Sequence, residues 1–141
     1  MSKKLWIGFI VVFIAMAVTG YIVHGVLLGS YWDSEEMSQI WRPDMDQKMW
    51  IYYIIYIFSA FFFVLIYSKW SKGKGIIEGI QYGVYTGFMM ALPAAYSTYA
   101  MISIPYSAAL LWFIYGMIQY IIFGILLALI YGKKPQAEVK P

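Results

Sequence analysis

Few side chains in this sequence could hold a proton, an ion or a ligand, and the main candidates stand inside or beside long apolar runs. His24 is the single histidine. It lies five or six residues below the outer end of the first apolar run, which at 1.5 Å per residue is about 8 Å inside a hydrocarbon edge. Ionisable groups at such depth are costly, so each is a functional hypothesis. Counting to the same depth along the other runs reaches Tyr56, Tyr96, Ser97 and Trp112, which together would form one layer. Pro93, just below that level, frees the carbonyl of Met89 and predicts a bend with room for a small cavity. Two readings follow. In one, His24 with Tyr96 or Ser97 hydrogen-bonds the polar head of a quinone, a lipid or a similar amphipathic molecule. In the other, a neutral His24 bonds a neighbouring tyrosine, serine or freed carbonyl and holds helices together. A bis-histidine haem site would need a second His24 from another copy, which leaves one axial ligand at most.

Glu78 opens a later apolar run, four residues after Lys74, where the positive end of a helix dipole favours a carboxylate. It reads as a cap or as a proton or cation site helped by Gln81 and Tyr82. Gln119 and Ser59 sit near mid-run and suit hydrogen bonds between helices. Asp33, Glu35, Glu36, Asp44 and Asp46 offer oxygen ligands to a divalent cation, but their spacing follows no calcium-loop pattern. The sequence has no intramembrane carboxylate pair, no His-x-x-His or Glu-x-x-His, no phosphate loop and no nucleophile elbow. It therefore names no catalytic residue, no metal site and no cofactor.

The elements that must position these groups are set by composition. Of 141 residues, 62% are hydrophobic and 12% charged, and the mean hydropathy is +0.69. Soluble domains carry about 25% charged residues, so the chain is expected to be an integral membrane protein. A helical span needs about 20 apolar residues. Four stretches qualify, 5–29, 49–68, 76–102 and 106–131, and they occupy nearly the whole chain as one all-α, four-helix transmembrane domain. The absence of cysteine removes disulfides, thiolate metal sites and dithiol redox chemistry.

The net charge of +3 is explained by position rather than by nucleic acid. Lys3, Lys4, Lys69, Lys72, Lys74, Lys133, Lys134 and Lys140 fall on one side of the four spans, and the five loop acids fall on the other. Under the positive-inside rule both termini are cytoplasmic and residues 30–48 face outward. Lys3, Lys4 and the pair Ala15 and Ala17 imitate a secretion signal, but the apolar run continues to Leu28 and reads as an uncleaved anchor.

Every fourth residue from Gly75 to Ala95 is small: Gly75, Gly79, Gly83, Gly87, Ala91 and Ala95. On a helix they form a ridge that lets another backbone approach closely, so the ridge predicts a packing partner. A weaker ridge, Gly116, Gly124, Ala128 and Gly132, is interrupted by Tyr120. The second span instead carries Tyr52, Tyr53, Tyr56, Phe58, Phe61, Phe62 and Phe63, so close contact is expected between the third and fourth spans while the second fills space with rings. Pro43, Trp50 and Tyr53 recur as Pro105, Trp112 and Tyr115, each shifted by 62 residues. The recurrence fits either a two-plus-two parallel repeat or the general preference for aromatic residues at membrane interfaces. In the outer loop, Asp33 with Glu36 suggests a capping box and a short interfacial helix anchored by Trp41 and ended by Pro43.

Two stretches carry a resemblance: Gly73-Lys74-Gly75-Ile76-Ile77-Glu78-Gly79 followed by Gln81-Tyr82-Gly83, and Ile104-Pro105-Tyr106-Ser107 leading to Leu111-Trp112 and Gly116. They resemble small uncharacterised bacterial four-span inner-membrane proteins, with a Gly-Lys-Gly turn before the third helix and an Ile-Pro turn before the fourth. The resemblance implies that topology and a bacterial source, and brings no substrate. Small multidrug exporters are of similar size but rely on a carboxylate in the first helix, which is missing here. The expected role is a structural or accessory subunit that packs through its ridge against itself or a larger membrane complex, with lipid as its surroundings. A binding or carrier protein at the His24 layer and a small dimeric transporter are the alternatives.

Overall fold

The structure, a computed structural model, describes residues 2–132; the basic residues Lys133, Lys134 and Lys140 lie outside them. Helix α1 spans Lys3–Gly20 and continues into a π-helical segment, Tyr21–Leu27. Three short helices follow, α2 (Gly29–Trp32), α3 (Glu35–Ser38) and α4 (Met45–Lys48), then the long helices α5 (Trp50–Trp70), α6 (Ile76–Met101) and α7 (Tyr106–Tyr131). No strand occurs among the described residues.

Three helical stretches, Lys3–Leu27, Met45–Trp70 and Tyr106–Tyr131, are long and apolar enough to cross a membrane. Helix α6 matches α7 in length at 26 residues, but Glu78, Gln81 and several hydroxyl residues make it less apolar. Large apolar side chains such as Ile10, Phe58, Met89 and Leu129 are exposed on all four long helices. Contiguous surface of that kind belongs in hydrocarbon, and the chain is a membrane-embedded helical protein.

The bundle is built on one close helix pair. Helices α6 and α7 run antiparallel, and a Cβ added at Gly83 would stand 2.5 Å from both the Tyr120 carbonyl oxygen and the Ile121 Cα. Gly79 faces Gly124 and Ala128, Gly87 faces Met117, and Ala91 faces Gly116, so the contact runs along most of both helices. Only small residues permit backbones this close, and in lipid such packing replaces the hydrophobic drive that water would supply. Pro93 sits inside α6 on its exposed side, opposite the Ala91 and Ala95 face, and the helix continues past it.

Helix α5 is joined to α6 differently. Their gap is filled by rings: Tyr82 lies 4.8 Å from Phe63, 5.1 Å from Tyr67 and 5.4 Å from Trp70 between ring centroids. The Tyr82 hydroxyl donates to the Phe63 carbonyl at 2.7 Å, satisfying a phenol that would otherwise be buried alone. Helix α1 packs on both α5 and α7 through Leu5, Gly8, Val12, Met16 and Gly20. A Cβ at Gly8 would meet Leu127 and Val64, both at 3.0 Å. At mid-helix the Gln119 amide donates to the Thr19 hydroxyl at 2.8 Å and ties α7 to α1.

The connection between α2 and α3 differs from the expected capping box. Ser34, not Asp33, caps α3 by accepting from the Met37 amide, because Asp33 is already the last residue of the α2 turn. The helix is a single turn that ends at Ser38, well before Pro43. Its Met37 is buried against Ile104 and Ala109, which pins this segment to the α6–α7 connection.

Candidate functional site

The segment around His24 is built by a change of helical period. The inward stripe of α1 steps by three or four residues from Leu5 to Gly20, and the next buried residues are Val23 and Leu28, five apart. The Leu28 amide donates to the Val23 carbonyl at 2.8 Å, the i to i+5 bond of a π-helix. The extra residue turns Leu28 inward where a regular helix would have placed Leu27, which is exposed. Such π segments are rare and occur often at functional sites.

On this segment the His24 ring meets two indoles. Trp112 of α7 stands edge-on at 5.4 Å and Trp32 of α2 lies nearly parallel at 6.2 Å. The two indoles are themselves 5.6 Å apart at a steep angle. Trp41 extends the cluster, with its ring 6.0 Å from Trp32 and its indole N–H donating to the Trp32 carbonyl at 2.9 Å. His24 thus makes aromatic contacts, and among the described residues no side chain hydrogen-bonds it. The cluster offers an imidazole and indole N–H groups at the acidic end of the bundle.

The remaining members of the expected layer stand in other contacts. The Tyr56 hydroxyl lies against Gly20, one turn below His24, where a Cβ would be 2.5 Å away. Tyr96 packs on Phe113 at 6.0 Å and Tyr106 at 6.3 Å. Ser97 is exposed and donates to the Pro93 carbonyl of its own helix. Equal depth therefore brings His24 to Trp112, while helix rotation gives Tyr96 and Ser97 different neighbours. Trp32 carries the cluster without having stood out in the sequence, and Trp41, expected as an interfacial anchor, joins it by packing on Trp32. The available signal was the recurrence of tryptophan at Trp32, Trp41 and Trp50, before, among and after the loop acids.

The ridge positions also divide by role. Gly79, Gly83, Gly87, Ala91 and Ala95 are buried on α6, and the first four face α7 directly. Gly75 precedes the helix with φ +82° and ψ −148°, a backbone conformation essentially restricted to glycine. Its residue type is set by the turn rather than by helix packing. Gly132 likewise ends α7 at φ +70° with no atom near its missing side chain.

Glu78 is only 3% exposed yet fully engaged. One carboxylate oxygen accepts from the Lys72 amide; the other accepts from the Gly73 and Lys74 amides, both at 2.9 Å, and from the Ser71 hydroxyl at 3.0 Å. Four donors from the α5–α6 turn converge on an acceptor-only group, so the carboxylate organises that turn. At the opposite end, a shallow hollow of about 570 Å³ opens between Glu36 and the Tyr99–Pro105 stretch, and His24 does not line it. Searches of protein families, curated proteins and solved structures returned no match to this chain.

Proposed function

We propose that the chain is a four-span protein of a bacterial inner membrane, with both termini cytoplasmic, that serves as a structural or accessory subunit. The antiparallel α6–α7 contact supports the fourth span: α7 is apolar enough to cross, and α6 follows it along most of its length. The separation of lysines from loop acids supports the orientation. Because α7 covers most of the ridge within the same chain, that ridge is spent on internal packing and the partner contact belongs elsewhere.

The observation that carries the subunit reading is the first half of α5. From Trp50 to Phe58 every residue except Tyr56 is exposed, and Trp50 and Phe58 are each 60% exposed. A helix held in a bundle normally buries a stripe. Here the stripe begins only at Ala60, which leaves two turns of aromatic and aliphatic surface open on nearly all sides. Aromatic residues are favoured in interface cores because they offer large area at low entropic cost. A photo-crosslinking residue replacing Tyr53 should capture protein in native membranes, whether a second copy or another polypeptide. The same residue at Leu129 on α7 should capture lipid alone. Lipid alone at both positions would remove the subunit reading.

The π segment favours one second reading, a carrier for a quinone-like or lipid-like head at His24, Trp32 and Trp112. His24→Ala should then abolish copurification of that molecule while leaving thermal stability nearly unchanged. If the substitution lowers stability and the bound material is unchanged, His24 is a helix fastener.

A further inference from the structure

We propose that the turn between α5 and α6 is a binding site for a phospholipid with a net anionic, phosphate-bearing headgroup. Four observations converge on it. Lys69, Lys72 and Lys74 fall within six residues and are all exposed, and among the described residues no carboxylate forms an ion pair with them. The nearby carboxylate, Glu78, is turned inward and saturated by the backbone of the turn, so it leaves the three ammonium groups to the surface. Those bonds, with Gly73 and Gly75 both at positive φ, fix the backbone that carries Lys72 and Lys74.

The fourth observation is the surface beneath the lysines. Trp70 of α5 meets Tyr85 of α6 edge-on at 6.4 Å between ring centroids, so the two rings form one apolar surface across the helix pair. Ile66 lies one turn along α5 from Trp70 on the same face, and Ile66, Trp70 and Tyr85 are exposed. An acyl chain lying along this exposed apolar face would bring its phosphate to the lysines at the end of it. A tryptophan at the level of the headgroup suits that boundary. The combination selects a lipid over free phosphate, because the lysines alone are strongly hydrated point charges without a bidentate cradle.

The test uses the full chain in an uncharged detergent, with fluorescent phosphatidylglycerol displaced by unlabelled lipids of matched chains. Phosphatidylglycerol should displace the probe at least tenfold better than phosphatidylcholine, and inorganic phosphate should not displace it. Each of Lys72→Ala and Lys74→Ala should weaken binding by about fivefold at low salt, following the usual surface attraction of a lysine to anionic lipid. Lys3→Ala removes one charge from the same end of the bundle and should change binding less than twofold. Glu78→Gln raises the net charge but loosens the turn, so the site predicts weaker binding where bulk charge predicts stronger. Equal displacement by both lipids, equal losses from Lys3→Ala and Lys72→Ala, or tighter binding by Glu78→Gln would each overturn the proposal.

Discussion

The substitution Gly83→Ala probes the contact on which the bundle is built. The added methyl carbon would stand 2.5 Å from the Tyr120 carbonyl oxygen and from the Ile121 Cα, and both atoms are backbone. Carbon atoms are at rest near 3.5–4.0 Å, so α6 and α7 must separate by about 1 Å at this level. Neither helix can bend away locally without opening the neighbouring contacts of Gly79 with Gly124 and Gly87 with Met117. Overpacking of this kind costs about 1–3 kcal/mol, and the helix preference of alanine over glycine returns about 0.5–1 kcal/mol. The net is a destabilisation of up to about 2.5 kcal/mol, towards the upper end because both clashing atoms are backbone. Gly29→Ala is the control, because no atom lies within 4 Å of the position its Cβ would take. At the first residue of the short helix α2 it meets no clash and should be close to neutral. Reversible unfolding by sodium dodecyl sulfate in mixed micelles measures both variants on one scale. Coincident transitions for Gly83→Ala and Gly29→Ala would refute close backbone packing between α6 and α7.

Three further outcomes are expected. With no native cysteine, an impermeant maleimide applied to intact cells should label Ser38→Cys and spare Lys72→Cys; the reverse pattern would invert the proposed orientation. A double-mutant cycle of Thr19→Val and Gln119→Leu should give a coupling of about 0.6 kcal/mol, typical of hydrogen bonds between helices in membranes, and a coupling of zero would remove the α1–α7 tie. Gly75→Ala should lower the thermal midpoint through about 1–3 kcal/mol of backbone strain, and an unchanged midpoint would show that the turn does not hold φ +82°.

Much of the architecture is written in spacing, because spacing alone decides which side chains share a helix face. Gly79, Gly83, Gly87 and Ala91 share one, and the bulk of Phe61, Phe62 and Phe63 on α5 rules out an equally close approach there. Spacing does not distinguish a glycine needed for proximity from one needed for its dihedral angles, and Gly75 falls in register while belonging to the turn. The candidate site was less legible. Depth below the membrane edge follows from residue count, which brings His24 to the level of Trp112, but rotation about each axis does not. A π segment adds one residue to the turn and redirects every side chain after it. Residues 27 and 28 are both leucine, so the shift of the inward stripe from one to the other leaves no trace in the sequence. Trp32 lies beyond that shift, so its contact with His24 could not be found by counting.

The two kinds of helix contact give the parts of the bundle different freedom. Backbone contact between α6 and α7 is stiff, since a shift of one ångström forfeits packing along most of the pair at once. The α5–α6 contacts depend on Tyr67, Trp70 and Tyr82, whose rings can re-pack about their side-chain torsions, and on a single bond from Tyr82 to the Phe63 carbonyl. They lie in the second half of α5, and α1 holds the same helix independently, at Val64 against Gly8 and at Tyr56 against Gly20. Helix α5 is therefore held from Tyr56 onward, and the residues from Trp50 to Ile55 are the part that stands clear of the bundle. The four donors on Glu78 fix the turn that joins α5 to α6, so the ring contacts can re-pack about a connection that itself stays constant.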